Sequence, residues 1–193
     1  MSRATFFAAL ALVALVVTSG ATAGSSRTVA HYFQAFRNGK IAPGVHVNQT
    51  AQGYCWETSA VESRRYAWRC FKGNLILDPC FSAARHARVV LCPIKPWSSQ
   101  VVRLQLTRSL PSWQPARYNP SLPVAVWTTT GKRCVHGSGA TTEIRFKPIT
   151  YECADGGVLV GLAKRSTATW TIWYAAGYKA HVVRRVGISD AWW

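Results

Sequence analysis

The chain has few acidic residues. Only 7 of its 193 residues are Asp or Glu, whereas 23 are Lys or Arg, so the formal net charge is +16 at pH 7. Acid–base catalysis and glycoside hydrolysis need tuned pairs of titratable groups, and in many enzymes these groups are carboxylates. The scarcity of acids therefore argues against such an enzyme, while the excess of basic residues favours attraction to anionic surfaces.

Spacings typical of metal and phosphate sites are also missing. The five histidines lie far apart in the sequence, and no two cysteines have the close spacing of a structural zinc site. The glycines follow turn patterns and match neither the Walker sequence nor the dinucleotide-binding sequence. We therefore predict no metal ion and no cofactor.

The one long apolar run of the sequence lies at its start. Arg3 precedes an apolar run from Phe6 to Val17, and Ala21-Thr22-Ala23 follows it, which is the three-part pattern of a cleaved signal peptide. The run is shorter than the ~20 apolar residues of a spanning helix. We predict an exported monomer, in which residues 1–23 are a signal peptide, residues 24–52 an N-terminal segment and residues 53–193 a single β-rich domain.

The chain has six cysteines, which is an even number. In an exported protein this number predicts disulfides rather than free thiols. We favour the three nearest-neighbour pairs because each closes a short loop, although the sequence leaves the other connectivities open. The cysteines are Cys55, Cys70, Cys80, Cys92, Cys134 and Cys153.

Short segments with β-strand patterns follow one another through most of the chain. Between Val101 and Arg108, apolar residues alternate with polar ones, as in a half-buried strand. Asp78-Pro79 predicts the end of a strand, and Asp155-Gly156-Gly157 predicts a hairpin turn because glycine readily adopts a positive φ. Roughly eight such segments predict a mainly β fold, an antiparallel sandwich or open barrel stapled by disulfides, with one or two short helices.

Two segments have helical patterns. From Thr28 to Arg37, apolar residues recur with the period of an amphipathic helix. Ser59 and Glu62 have the spacing of a capping box, which predicts a second short helix from about Ala60 to Arg69. The stretch from Lys40 to Gln52 has few apolar residues and is predicted to be a loop.

Several motifs surround the cysteines, tryptophans and turn glycines. They are Cys55-Trp56, Ala67-Trp68-Arg69-Cys70, Asp78-Pro79-Cys80-Phe81, Arg133-Cys134 and Tyr151-Glu152-Cys153-Ala154-Asp155-Gly156. These motifs look like those of a group of uncharacterised exported proteins of actinobacterial type, and the resemblance covers about Tyr54 to Tyr174. It implies export and a shared disulfide-stapled fold, and it carries no catalytic residues.

Arginines adjoin aromatic residues at several points of the sequence. An arginine beside an exposed ring suits sugars or stacked bases, whereas the alternative is that most of the rings form the core. We expect a non-catalytic domain that binds anionic cell-envelope polymers or a membrane surface, and we find no specific nucleic-acid motif. The candidate binding patch comprises Arg64, Arg65, Tyr66, Trp113 and Tyr118.

Two other functions remain open. A small secreted hydrolase acting on a wall polymer would use residues such as Glu57, His136 or Asp155 in a cleft, and Ser138 between two glycines is more typical of a turn than of a nucleophile elbow. A cationic defence or toxin-like protein would also be basic and disulfide-stapled, and it would damage membranes in a salt-sensitive way.

Overall fold

The computed structural model describes residues 27–114, 122–137 and 142–193. The predicted signal peptide, Ser138 and Tyr118 lie outside the described residues. Within these ranges the chain forms fifteen β-strands and no helix, so the predicted mainly β fold is confirmed. The strands are β1 (Val29–His31), β2 (Phe36–Arg37), β3 (Lys40–Ile41), β4 (His46–Thr58), β5 (Ala67–Lys72), β6 (Leu75–Phe81), β7 (Val89–Pro93), β8 (Gln100–Leu106), β9 (Ala125–Thr128), β10 (Arg133–His136), β11 (Glu143–Ile144), β12 (Lys147–Cys153), β13 (Val158–Lys164), β14 (Trp170–Ala175) and β15 (Val183–Trp192).

The first barrel consists of β4 to β8 and is closed. Successive strands pair antiparallel, and β4 pairs in parallel with β8 to complete the ring. Trp68, Val90 and Leu104 are fully buried in its interior. The indole N–H of Trp68 donates a hydrogen bond to Ser82 Oγ at 2.9 Å, so the one polar atom of this large side chain is satisfied inside the core.

The second barrel consists of β9, β10 and β12 to β15. The pairing of β15 with β9 closes it, while β1 adds to β15 on the outside and β11 pairs with β12. Leu159, Ile172 and Ile188 fill its interior together with Tyr151. The Tyr151 hydroxyl donates to the carbonyl of Pro123 at 3.0 Å, and burial raises the pKa of this phenol.

Each of the three disulfides joins two strands of the same barrel, and the three bridges are the predicted nearest-neighbour pairs. Cys55–Cys70 joins β4 to β5, Cys80–Cys92 joins β6 to β7, and Cys134–Cys153 joins β10 to β12. Each therefore links neighbouring antiparallel strands, and two of them lie in the core of the first barrel. Disulfides persist in oxidising compartments, so their presence indicates that the protein folds in such an environment.

The N-terminal residues connect the two barrels. β1 belongs to the sheet of the second barrel, whereas Phe33, two residues later, packs on Phe81 of the first barrel with ring centroids 5.7 Å apart. Arg64 Nη1 donates to the Phe33 carbonyl at 2.7 Å. Val61 and Trp97 of the first barrel also contribute to an apolar cluster with residues of the second. The barrels are thus held together by chain segments that are distant in sequence.

The helix predicted from Thr28 to Arg37 is wrong. β1 pairs in parallel with the end of β15, placing His31 opposite Trp192. Beyond β1, Phe33 N–H donates to the Trp193 carbonyl at 2.7 Å. These hydrogen bonds come from the far end of the chain, and a ladder with a distant partner outweighs the weak intrinsic tendency of a short amphipathic segment to form a helix.

The helix predicted from Ala60 to Arg69 is also wrong, although part of the capping box forms. Ser59 Oγ accepts hydrogen bonds from the N–H groups of Val61 and Glu62 at 3.2 and 2.9 Å. The Glu62 carboxylate, however, binds the N–H and the guanidinium of Arg64 at 2.9 and 2.8 Å. The chain then enters β5 at Ala67, because pairing with both β4 and β6 satisfies its backbone.

Two further local predictions are wrong for similar reasons. The loop predicted from Lys40 to Gln52 contains β3 and the first half of β4, whose residues are mostly exposed and therefore show little apolar pattern. Asp78-Pro79 lies within β6 and does not end it. The register of β5 and β6 shifts between Trp68 and Cys70, and an irregularity of this kind tolerates the missing N–H of proline.

Candidate functional site

Arg64, the first residue of the candidate patch, has a structural role. Its guanidinium forms an ion pair with the buried Glu62, donates to the Phe33 carbonyl and lies over the Phe81 ring at 4.7 Å. These contacts attach the N-terminal residues to the first barrel. Its Nε and Nη1 groups therefore donate within the protein and not toward a ligand.

Arg65 and Tyr66 form an exposed pair, while Trp113 packs inward. The Arg65 guanidinium lies 4.9 Å from the centroid of the half-buried Tyr66 ring. Tyr66 and Trp113 both pack against the core cluster of the first barrel. The structure thus places Arg65 as the exposed cation of the patch and the two rings as cover for the barrel core.

Arginine–aromatic stacking extends well beyond this patch. Such contacts contribute about 0.5–1 kcal/mol at exposed sites, and in the described residues they recur on both barrels. Six exposed arginines lie over rings: Arg65 over Tyr66, Arg108 over Tyr54, Arg133 over Trp127, Arg165 over Trp170, Arg184 over Tyr174 and Arg185 over Trp173. We call these the stacked arginines. The sequence signal was the mere abundance of arginine and aromatic residues, which does not reveal which ones meet.

Four of the seven acids form ion pairs with cations that are not among the stacked arginines. Glu57 and Asp78 pair with Arg69, Glu62 pairs with Arg64, and Asp155 pairs with Lys132. These three cations are all partly buried. Within the described ranges no carboxylate forms an ion pair with Arg65, Arg108, Arg133, Arg184 or Arg185. The uncompensated positive charge of the protein is therefore concentrated on its exposed residues.

The three residues considered for a hydrolase are in different settings. Glu57 is exposed and pairs with Arg69 at 3.2 Å. His136 is half-buried on β10, with its ring edge-on to Tyr151 at 5.7 Å. Asp155 accepts hydrogen bonds from Lys132 and, at 3.3 Å, from the Tyr174 hydroxyl, and this lowers its pKa. Asp155 is thus committed to a structural pair.

Asp78 and His136 have pKa values that shift because of burial. Burial raises the pKa of Asp78 from 3.8 to about 6, although Ser59, the N–H of Ala60 and Arg69 all favour the carboxylate. Burial, together with the nearby charge of Arg69, lowers the pKa of His136 below 6.5. The positive charge of Arg69 therefore acts on both groups, favouring the carboxylate of Asp78 and disfavouring the protonated form of His136.

These shifts predict opposite pH dependences of stability. As the pH falls from 7 to 4.5, the folded state takes up the Asp78 proton before the unfolded state does, which adds about 2 kcal/mol of stability. Over the same interval the unfolded state protonates its histidine first, so His136 removes stability. We expect the two effects to oppose each other, so the stability of the wild-type protein should change less with pH than the Asp78 effect alone would require.

Urea unfolding at pH 7 and pH 4.5 tests this prediction. In Asp78→Asn only the histidine effect remains, so stability should fall on acidification more than in the wild type. In His136→Gln the Asp78 effect remains, and stability should rise. The same pH dependence in all three proteins would show that the two groups do not titrate as described.

A cleft opens where the two barrels meet. It has a volume of about 500 Å³, and we call it the inter-barrel cleft. Its lining comes from the N-terminal residues between His31 and Val45, from the β7–β8 loop with Trp97, and from Trp192 of β15. None of these segments belongs to the predicted patch. Sequence reasoning missed the cleft because its walls come from opposite ends of the chain.

The aromatic rings of the cleft are held in place by one another. His31 stacks on Trp192 with centroids 4.8 Å apart and an interplanar angle of 12°, and its Nε2 contacts Asp190 Oδ1 at 2.9 Å. Trp97 lies edge-on to Trp192 at 6.2 Å. The Arg133 guanidinium lies 6.0 Å from the centroid of Trp97 and 4.7 Å from that of Trp127. The cleft is thus continuous with a stacked arginine.

Over the described ranges these features define an all-β fold of two closed barrels, stapled by three disulfides, with a basic surface and an aromatic cleft. No protein-family model, no curated protein and no solved structure matches the chain. The resemblance to exported proteins of actinobacterial type therefore stays a prediction. In the described part of the chain there is no helix long and apolar enough to cross a membrane, and the described residues contain no group of His, Cys, Asp and Glu suited to a metal ion.

Proposed function

We propose that this protein is an exported, non-catalytic module that binds an anionic polymer of the cell envelope through its stacked arginines. The observation that carries the proposal is a set of exposed arginines that lie over aromatic rings and form no ion pair with a carboxylate in the described part of the chain, namely Arg65, Arg108, Arg133, Arg184 and Arg185. A surface that only confers solubility has no need of such support, because mobile charges serve that purpose equally well.

Stacking prepares these arginines for binding. A guanidinium on a ring keeps its N–H edge free for a phosphate, sulfate or carboxylate group, which it can contact through two hydrogen bonds. The ring also restricts the side chain before binding, which reduces the entropy lost on association. Arg185 is restricted in this way by two contacts. Its guanidinium lies 4.4 Å from the Trp173 centroid and donates to Thr171 Oγ1 at 3.0 Å.

The distribution of the stacked arginines favours a polymer over a small anion. Arg65 and Arg108 lie on the first barrel, whereas Arg133, Arg184 and Arg185 lie on the second. A small anion would need several cations converging on one point. A long chain of repeated negative charges can contact cations that are spread over both barrels, and its binding gains from the many contacts.

Sedimentation with purified cell wall tests the proposal. The oxidised protein, from residue 24 onward, is mixed with walls before and after chemical extraction of their anionic polymers, and with nucleic acid and anionic liposomes, across a salt series. We expect binding to intact walls that persists at physiological salt. The triple variant Arg133→Gln/Arg184→Gln/Arg185→Gln should lose at least about tenfold in affinity, since charge-assisted hydrogen bonds contribute about 1.5–3 kcal/mol each.

A matched variant controls for net charge. Arg85, Arg88 and Arg145 are exposed and do not lie over a ring in the described structure, so their triple change to Gln removes the same charge without removing a stack. An equal loss of wall affinity in the two triple variants, or equal binding to every anionic probe, would show that binding depends on net charge alone and would contradict the proposal. Dye release from the liposomes would favour the toxin-like function instead.

A further inference from the structure

We infer that the inter-barrel cleft binds one anionic sugar unit, a pyranose carrying a carboxylate or phosphate group. This inference rests on the proposed function and deepens it, because such a unit is a repeating element of an anionic envelope polymer. The stacked arginines would then attract the polymer, while the cleft would recognise its chemistry.

The aromatic rings that line the cleft offer flat apolar faces on which a sugar ring can pack. A pyranose ring presents C–H groups on its faces and hydroxyl groups at its edge, so it packs on aromatic rings. Tyr32 is 68% exposed, yet its ring is held in place by stacking on Trp193 at 5.1 Å. Trp97 from the β7–β8 loop provides a second ring, which is braced against Trp192. Tyr32 therefore presents apolar area to the cleft, and the half-buried Trp97 adds to it.

The polar lining suits the edge of a sugar. Gln34, Ser98 and Ser99 supply donors and acceptors for hydroxyl groups. His31 adds a ring nitrogen whose orientation is set by two contacts, the hydrogen bond to Asp190 and the stack on Trp192. Ligand sites combine a mainly apolar wall with a few such fixed polar groups, and a volume of about 500 Å³ lies inside their usual range.

The charge of the cleft selects for an anion. The described lining residues include one arginine, Arg37, and its side chain is exposed. No Asp or Glu is among the described lining residues, and the nearby Asp190 is hydrogen-bonded to His31. A carboxylate or phosphate on the bound sugar would therefore meet a guanidinium and no carboxylate in the lining.

Binding of soluble saccharides to the oxidised protein tests this inference. The probes are a hexuronate disaccharide, a hexose phosphate and a neutral hexose disaccharide, and the signal is tryptophan fluorescence, because Trp97 and Trp192 line the cleft. We expect saturable binding of an anionic probe and binding of the neutral one at least about tenfold weaker. Arg37→Gln should remove this preference, and Trp97→Ala should abolish the binding.

Two control variants lie away from the cleft. Arg85→Gln removes an exposed arginine, and Trp173→Ala removes a ring on the second barrel that carries Arg185; both should bind the saccharides as the wild type does. Arg37 is on the surface, so its variant should fold even if that of Trp97 does not. Absence of saturable saccharide binding, with wall binding retained, would overturn this inference alone. Saccharide binding without wall binding would overturn the proposed function alone.

Discussion

Gly53→Ala is expected to destabilise the protein by about 3 kcal/mol or more, which is a large part of the total stability of a domain. Gly53 lies in β4, where it pairs with Leu106 of β8. A Cβ atom at this position would lie 2.1 Å from the carbonyl oxygen of Phe71 and 2.8 Å from the Leu104 side chain. A backbone oxygen inside a closed barrel cannot move aside, so the barrel itself would have to deform.

Gly137→Ala is the matched control for this substitution. The nearest atom to a Cβ at position 137 is Glu152 Oε1 at 3.8 Å, and its backbone is not in the left-handed region. Its free energy of unfolding in guanidinium chloride should therefore stay within about 0.5 kcal/mol of the wild type. Equal stability of the Gly53 variant and the wild type would show that the first barrel is not closed as tightly as described.

Reduction of the disulfides is expected to unfold the protein or leave it close to unfolding. The three bridges close loops with sequence separations of 15, 12 and 19 residues. Loops of this size contribute about 3 kcal/mol each in the chain-entropy model. Their sum, about 9 kcal/mol, is comparable to the roughly 5–15 kcal/mol of total stability expected for a protein domain.

Unfolding in guanidinium chloride with and without a reductant measures this contribution, and titration of free thiols verifies that the bridges have opened. The double variant Cys134→Ser/Cys153→Ser removes one of the three bridges. Its free energy of unfolding should fall by about one third of the total disulfide contribution. A reduced protein with the midpoint of the oxidised one would mean that hydrophobic burial alone holds the barrels together.

Much of the strand content could be predicted because its cause is local. The alternation between Val101 and Arg108 became β8, in which Val102, Leu104 and Leu106 are buried while Gln105 is exposed. The cysteine count and the short spacing between cysteines likewise led to the three observed pairs, since neighbouring antiparallel strands bring together residues that are near in sequence. Such features depend on periods and distances that a linear sequence displays.

The candidate site was less accessible to sequence reasoning. Arg65 and Tyr66 meet because they are adjacent in the chain, and Arg133 meets Trp127 across the β9–β10 pair. Arg133 meets Trp97, in contrast, only after the barrels pack together. Arg64 belonged to the same sequence motif as Arg65, yet its environment made it a structural residue. A sequence segment rich in basic and aromatic residues therefore predicts a basic, aromatic surface, but it does not show which of its residues are exposed there.

The sequence by itself determined the mainly β composition, the disulfide stapling and the excess of positive charge, because each of these follows from local periodicity or simple counts. Only the tertiary structure decided that the residues after Thr28 are extended, that the strands close into two barrels, and that a cleft lies between them. In each case the deciding contacts are long-range: His31 meets Asp190 across 159 residues. No local pattern records such a contact, because its free energy arises only when both ends of the chain have folded.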